Sequence, residues 1–319
     1  MKTKLLLLCI GITSLFGCKK ITKELPVSRL LNTNWEFKAV DETTWKSATV
    51  PGNVYTDLLH HKIIPDPFQK NNEEKVQWVS EKSWEYKTSF AIDESILNKE
   101  HIEINFEGLD TYATVYLNGK EFLSTNNAFR RYKANAKPFL KEQNNLRIVF
   151  TKTSEKEAVE KNKLPYTLPE GNRIFTRKAQ FQYGWDWGPK LNTSGIWKNI
   201  SIKSWDVIHF DNIFIKQKEV NTARAHFSIE VTIESNKNED AAIFTTVNKQ
   251  ESITNITVKK GTHTYTVPLE INNPILWWTH NLGTPHLYDF NLKLIANGII
   301  KDEESIKKGI RTIELVTEK

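Results

Sequence analysis

Apolar and polar residues alternate in short runs along most of the chain. The period of two is clear at residues 101–106 and 112–117 and recurs at residues 84–90 and 146–151. Such alternation is typical of antiparallel strands that bury one face. Asn118-Gly119, directly after one of these runs, predicts a type I′ hairpin turn, because both central positions of that turn need a positive φ.

A second series of alternating runs follows at the regular spacing of a small β-sandwich. The strands that it predicts are residues 227–233, 242–247, 252–258, 263–267 and 287–294. Helical periodicity is nearly absent; only residues 154–163, charged and poor in apolar side chains, predict a surface helix or loop. The pattern therefore predicts an all-β protein.

Tryptophan usage separates the two series, since eight of the ten tryptophans precede residue 206 and the other two are Trp277 and Trp278. We predict an aromatic-rich jelly-roll β-sandwich over residues 27–205 and an immunoglobulin-like β-sandwich over residues 206–312.

Composition narrows the class of protein. With 319 residues, 39% of them hydrophobic and 26% charged, the chain can bury one or two cores, which excludes disordered, collagen-like and multi-pass membrane proteins. The formal charge is +6, but the basic residues are scattered. This distribution predicts no nucleic-acid partner.

The first 17 residues have the pattern of an export signal, with two lysines ahead of a short apolar run. Residues 15–18 resemble a bacterial lipobox. We predict a lipoprotein signal peptide at residues 1–17, lipidation of Cys18 and a tether at residues 18–26; a plain secretory signal is the alternative. The lipoprotein interpretation predicts a protein exported to the periplasm or cell surface and held to the membrane by its lipid anchor alone.

The segment from Arg173 to Lys198 is the densest in chemistry-bearing residues, because Trp185 and Trp187 flank Asp186. The glycines on either side predict a tight loop that aims all three side chains at one ligand. An indole that stacks on C–H groups, beside a carboxylate that accepts hydrogen bonds from hydroxyls, suits a pyranose. The alternative is that both tryptophans fill the core and Asp186 caps a backbone N–H.

A series of short segments, taken in their order along the chain, resembles the pattern of one known protein family. They are residues 35–37, 50–54, 57–58, 64–68, 72–73, 76–78, 84–86, 106–119, 127–129, 184–189, 195–198, 277–278 and 309–313. Together these segments, which cover about residues 30–314, make the chain similar to the N-terminal region of β-mannosidases of glycoside hydrolase family 2.

The resemblance implies a galactose-binding-like jelly roll whose 184–189 loop reaches the rim of the sugar pocket. Asp186 would accept hydrogen bonds from the mannosyl hydroxyls, and Trp185 or Trp187 would supply an apolar wall. Arg177 would either orient Asp186 or pair with it structurally. The substrate implied is a β-mannoside or manno-oligosaccharide.

Catalysis in that family requires two glutamates on a (β/α)₈ barrel that follows the two β-domains. Residues 313–319 would be the start of the junction to this barrel, so the resemblance predicts no catalytic residue in the chain and a barrel supplied in cis or in trans. We predict no cofactor and no metal; His60-His61, for example, has no third ligand at useful spacing.

Three functions stay open at this point. The first is the non-catalytic N-terminal portion of an exported β-mannosidase, inactive alone. The second is a stand-alone carbohydrate-binding lipoprotein without hydrolase activity. The third is a structural or adhesive β-sandwich without a sugar site.

Overall fold

A computed structural model describes residues 22–169 and 171–317. The chain divides into two compact units: Pro26–Val207, and Ile208 onward together with the described residues up to Leu25. The predicted signal peptide, residues 1–17, and Cys18 lie outside the described residues. No helix in the described part is long and apolar enough to cross a membrane.

The first unit is built mainly from short antiparallel strands. These are β1 (Val27–Leu30), β2 (Trp35–Ala39), β3 (Lys46–Ala48), β4 (Trp84–Ala91), β5 (His101–Phe106), β6 (Leu109–Asp110), β7 (Ala113–Leu117), β8 (Lys120–Ser124), β9 (Tyr132–Asn135), β10 (Gln143–Phe150), β11 (Tyr183–Trp185), β12 (Gly188–Lys190), β13 (Gly195–Ile196) and β14 (Ile200–Trp205).

Helical segments of this unit are short and lie between the strands. The α-helices are α1 (Val54–His60), α2 (Asn72–Lys75), α3 (Glu94–Leu97) and α4 (Thr153–Lys161), and the 3₁₀ turns are Gln77–Glu81, Lys137–Phe139, Arg173–Phe175 and Gln180–Gln182.

Two larger sheets form a sandwich in this unit. One has the order β3-β2-β4-β10-β7-β8 and the other β1-β14-β5-β9. Large aromatic side chains fill the core, among them Trp35, Trp84 and Phe150, each no more than 2% exposed. The predicted hairpin is confirmed: β7 and β8 meet at Asn118 and Gly119, with φ of 52° and 81°.

Glu85 on β4 is a buried carboxylate held between two cations. It pairs with Lys38, and Arg147 Nη1 lies 3.0 Å from its Oε2. Burial acts to raise the pKa of Glu85, but hydrogen bonds and charge from Lys38 and Arg147 outweigh burial and hold this pKa below its ordinary value.

Acid is therefore expected to remove a stabilising contribution of Glu85. A carboxyl whose pKa is lower in the folded state stabilises the fold above its ordinary pKa of 4.5, and the contribution is lost as pH falls through the folded-state pKa. Glu85→Gln should lower the free energy of unfolding near pH 7, and the deficit should shrink at about pH 3. Urea unfolding at both pH values measures this. Glu36→Gln, at an exposed pair with Lys87, is the matched control; an equal effect of both variants would contradict the prediction.

The second unit is a smaller two-sheet sandwich. Its strands are β15 (Ile208–Val220), β16 (Arg224–Ser235), β17 (Glu239–Val247), β18 (Gln250–Val258), β19 (Gly261–Asn272), β20 (Tyr288–Ala296) and β21 (Ile299–Lys308). The sheets have the orders β15-β16-β19 and β18-β17-β20-β21. Buried side chains alternate along β16 and β20, as the sequence pattern predicted.

The described residues that precede Pro26 pair with the second unit. Glu24 N donates to Ile300 O at 2.9 Å, and Lys23 Nζ lies 2.8 Å from the Glu303 carboxylate. These two residues, assigned to the tether by sequence, thus lie along β21.

Helix α1 was not predicted, although its start signal is present in the sequence. Asn53 Oδ1 accepts from Tyr55 N at 3.0 Å and Thr56 N at 3.2 Å, and Thr56 Oγ1 accepts from Asn53 N, which completes a capping box. The helix buries Val54 and Leu58 in the core. Its seven residues are too few to show a helical period.

Candidate functional site

The Trp-Asp-Trp segment forms a β-hairpin. Strands β11 and β12 pair at Tyr183–Lys190 and Trp185–Gly188, which leaves Asp186 and Trp187 as the turn. Gly184 has a φ of 95°, a conformation that favours glycine. The predicted tight loop is therefore a two-residue turn between short strands.

The side chains of all three residues at the tip of the hairpin, 185–187, are exposed. Trp185 is 52% exposed and Trp187 80% exposed, and Asp186 is exposed as well. The alternative in which both tryptophans fill the core is therefore wrong. No backbone N–H in the described part of the chain donates to Asp186, so it does not act as a cap.

Arg177 does not pair with Asp186. Its side chain is exposed, and its backbone forms a parallel bridge with Asn127. Across residues 22–169 and 171–317, neither a hydrogen bond nor an ion pair joins the guanidinium to the Asp186 carboxylate. Neither expected role of Arg177, orienting Asp186 or pairing with it structurally, is supported by a contact among the described residues, because the backbone here turns Lys178 inward and leaves Arg177 in solvent.

Lys178 is the buried cation beneath the hairpin. Its side chain is fully buried, and Nζ lies 3.2 Å from Asp110 Oδ1 and donates to Thr193 O at 2.5 Å. Burial lowers the pKa of Lys178, and the Asp110 charge opposes this shift. Arg177, the neighbour predicted from the sequence as a site residue, lies on the solvent side.

Asp110 connects the two segments that flank the hairpin. Its Oδ2 accepts from Thr193 Oγ1 at 2.8 Å and from Gln182 Nε2 at 3.2 Å. Gln182 Oε1 in turn accepts from Thr193 N at 3.0 Å. Because Gln182 precedes β11 and Thr193 follows β12, this network holds both ends of the hairpin to one carboxylate.

The predicted surface helix is confirmed as α4 but has a buried polar contact. Glu157 is 5% exposed and accepts from Thr176 Oγ1 at 2.8 Å and from the Tyr183 hydroxyl. Burial, followed by the hydrogen bond to Glu157, raises the pKa of Tyr183. The helix thus anchors the first residue of β11.

The second strand of the hairpin is held from another direction. Lys190 N donates to Glu73 Oε1 at 2.7 Å, and Gln77 Nε2 donates to Lys190 O at 2.8 Å. Glu73 is therefore a structural acceptor for the second strand. Anchors on both strands leave the Asp186–Trp187 turn as the free end.

An apolar groove lies beside the hairpin in the first unit, with a cavity volume of about 650 Å³. Trp187 forms one wall together with Phe68, Phe129 and Phe181, which are 75%, 63% and 61% exposed. The fold thus brings together segments that are far apart in sequence and that carried the family resemblance.

Trp197 and Ala128 connect the groove to the Arg177 segment. Trp197 Nε1 donates to Ala128 O at 3.0 Å, and Ala128 N donates to Arg177 O at 2.9 Å. A Cβ on Gly108 would lie 2.5 Å from Trp197 Nε1, so only glycine leaves room for the indole. These contacts position Phe129 at the groove.

Lys178, Asp110 and helix α1, whose Tyr55 and Thr56 line the groove, were missed as parts of the site. The lysine lies in a polar run, and Asp110 lies two residues after Gly108. A buried ion pair between residues distant in sequence leaves no local pattern, whereas the Asn53 capping signal could have revealed α1.

Both units match known protein families. Residues 35–198 match the family described as Glycosyl hydrolase 2 galactose-binding domain-like, and residues 208–311 match Glycosyl hydrolases family 2.

The similar proteins and solved structures include β-mannosidases. The chain is 33% identical to β-mannosidase B of Thermothelomyces thermophilus, over 90% of this chain and 34% of that protein. It is 28% identical to the β-mannosidase of Capra hircus, over 92% of this chain and 35% of that protein. The crystal structure of β-D-mannosidase from Dictyoglomus thermophilum superposes with a TM-score of 0.84 at 34% identity, covering 91% of this chain and 37% of that one.

The chain spans about a third of the length of the curated relatives it matches. The first family match alone covers about half of the chain, and the second covers most of the remainder. The chain therefore belongs to glycosyl hydrolase family 2, as a galactose-binding-like jelly roll followed by an immunoglobulin-like sandwich.

Proposed function

We propose that the chain is the non-catalytic N-terminal portion of an exported β-mannosidase, in which the 183–190 hairpin contributes to recognition of the terminal mannosyl residue. The observation that carries this proposal is the exposed Asp186 carboxylate between two exposed indoles on an anchored hairpin. The β-mannosidases among the relatives supply the substrate class.

The chemistry of the hairpin suits a sugar ring. A carboxylate accepts hydrogen bonds from two adjacent hydroxyls, and a flat indole packs on ring C–H groups. The anchors of the hairpin limit the entropy lost on binding, because Lys190 and Tyr183 are already held by Glu73 and Glu157.

The groove suits protein better than sugar. Four aromatic side chains in its lining are exposed by more than half, and exposed apolar patches of this kind are typical of surfaces that bind another protein. A second exposed apolar stretch occurs at Ile313, Leu315 and Val316, which are 72%, 88% and 77% exposed. We propose that a catalytic barrel, in cis or in trans, covers both surfaces and holds both catalytic glutamates.

Asp186→Asn is expected to impair hydrolysis in an active enzyme that carries this chain. The test is a chimera in which residues 22–317 replace the matching part of the Dictyoglomus thermophilum enzyme. Loss of charged hydrogen bonds worth about 1.5–3 kcal/mol should lower kcat/KM on a chromogenic β-mannoside by about 10- to 150-fold.

Glu142→Gln, at an exposed carboxylate of the same unit outside the hairpin, is the control and should leave kcat/KM unchanged. An Asp186→Asn chimera as active as the unsubstituted one would refute the role of Asp186. Titration of the chain alone with mannose tests the stand-alone binding function: saturable binding near 1 mM, about −4 kcal/mol, that Asp186→Ala abolishes would support that alternative.

We further propose that the protein is anchored by lipidated Cys18, at the periplasmic or outer face of a bacterial membrane. The basic start, the apolar run and the lipobox-like residues 15–18 support this location. The anchor would keep an enzyme that contains this chain at the membrane surface.

A further inference from the structure

We propose that His209, Asp211 and Glu234 form a binding site for a divalent transition metal of the zinc class, in the second unit. One ligand atom of each residue lies within 4.8 Å of the others. The site is independent of the mannoside function. Two of its ligands, His209 and Asp211, lie two positions apart on β15, and the third, Glu234, lies on β16.

Strand register brings the ligands together. His209 on β15 lies directly opposite Glu234 on β16, and His209 Nε2 is 3.7 Å from Glu234 Oε2. The register between the two strands shifts from Phe210 to Asn212, so Asp211 is the extra residue of a β-bulge. A bulge re-aims the side chains at its position, and here the Asp211 carboxylate joins the other two groups.

The orientation of His209 suits a metal ligand. Its Nδ1 lies 2.7 Å from Phe210 O, which can only accept, so Nδ1 carries a proton and the Nε2 edge is directed at the Glu234 carboxylate. Metal-binding histidines commonly donate their other ring N–H to a backbone carbonyl in this way. Phe210 N donates to Asp302 Oδ2 at 2.8 Å, which helps to hold Phe210, the residue whose carbonyl orients the ring.

The donor set and the spacing fit a small dication. One imidazole nitrogen with two carboxylate oxygens is a set found around zinc and similar ions, at about 2.0–2.2 Å from the metal. Two ligand atoms of one tetrahedral ion are then about 3.3–3.6 Å apart, so a side-chain rotation that brings the groups about 1.3 Å closer closes the 4.8 Å spread. Asp211 is exposed and can supply that rotation, and its solvent side leaves room for water as a further ligand.

The consequence of binding is a cross-link between β15 and β16 where the second unit begins. An ion that binds the folded state and not the separated strands adds its binding free energy to folding. We therefore expect Zn²⁺ to raise the Tm of the second unit.

The test uses the full chain after removal of metal with a chelator, titrated with Zn²⁺ alone by calorimetry. Asp211→Asn and Glu234→Gln keep the size of each side chain and avoid disturbing buried His209; each should weaken Zn²⁺ binding at least about 10-fold. Glu270→Gln is the matched control, because Glu270 also pairs across strands with a histidine, His226, at 3.1 Å. Far-UV circular dichroism checks that each variant is folded.

Binding of one Zn²⁺ per chain that both ligand variants weaken and the control leaves intact supports the site. A Zn²⁺-dependent rise in Tm in the wild type that Asp211→Asn abolishes supports it through a second readout. Zn²⁺ binding equal in the wild type and both ligand variants, or no Zn²⁺ binding at all, would overturn the proposal.

Discussion

Replacing Lys178 by methionine is expected to lower the free energy of unfolding of the first unit by about 3–5 kcal/mol. The lysine side chain is fully buried, and its ammonium lies against Asp110. Methionine preserves most of the stem but leaves the Asp110 carboxylate buried without a cation. That uncompensated charge, and not the lost attraction alone, causes the destabilisation.

Urea unfolding followed by tryptophan fluorescence measures the effect. Arg177→Met is the matched control, since it removes an adjacent but exposed cation and should change the free energy by no more than about 0.5 kcal/mol. Adding Asp110→Asn to Lys178→Met should recover part of the loss, because it removes the unpaired charge. Equal free energies of unfolding for Lys178→Met and Arg177→Met would show that the buried Lys178–Asp110 pair does not stabilise the hairpin.

Replacing Phe290 by alanine is expected to destabilise the second unit by about 3–5 kcal/mol. Phe290 is fully buried on β20 and packs edge to face on Phe227, with 5.4 Å between ring centroids. The substitution removes the ring and leaves a cavity that the opposed strands can fill only in part.

The tryptophan distribution separates the two units in this experiment. Eight of ten tryptophans belong to the first unit, so fluorescence reports mainly on that unit, whereas far-UV circular dichroism reports on both. Phe290→Ala should shift an unfolding transition seen by circular dichroism more than the one seen by fluorescence. Phe214→Ala, at a half-exposed position on β15, is the control. A fluorescence transition shifted as far as the circular dichroism transition would contradict a separate core.

Most strands could be predicted because their signal is local. Residues 101–106 were predicted as a strand and form β5, and residues 227–233 lie within β16. Strands such as β1 and β9 escaped, since each has only four residues and alternates between partly buried and exposed positions without an apolar face. Whether such short strands form at the edge of a sheet depends on tertiary contacts and not on the local pattern.

The candidate site was predictable in part. Asp186 and its flanking tryptophans stand out because rare residue types occur side by side between glycines. The groove beside them was not predictable as a surface, since Phe68, Phe129 and Trp187 line one cavity only when separate loops converge.

The sequence by itself determined that the chain is all-β, that Asn118-Gly119 is a turn and that Asp186 lies between two indoles. These features depend only on the backbone preferences and the periodicity of residues that are close together in sequence. Only the tertiary structure decided that Lys178 rather than Arg177 is buried, and that His209 and Glu234 face each other. Such pairs form because the sheet register brings distant residues together. An unpaired charge is costly to bury, so a charged side chain is buried where the fold supplies a partner.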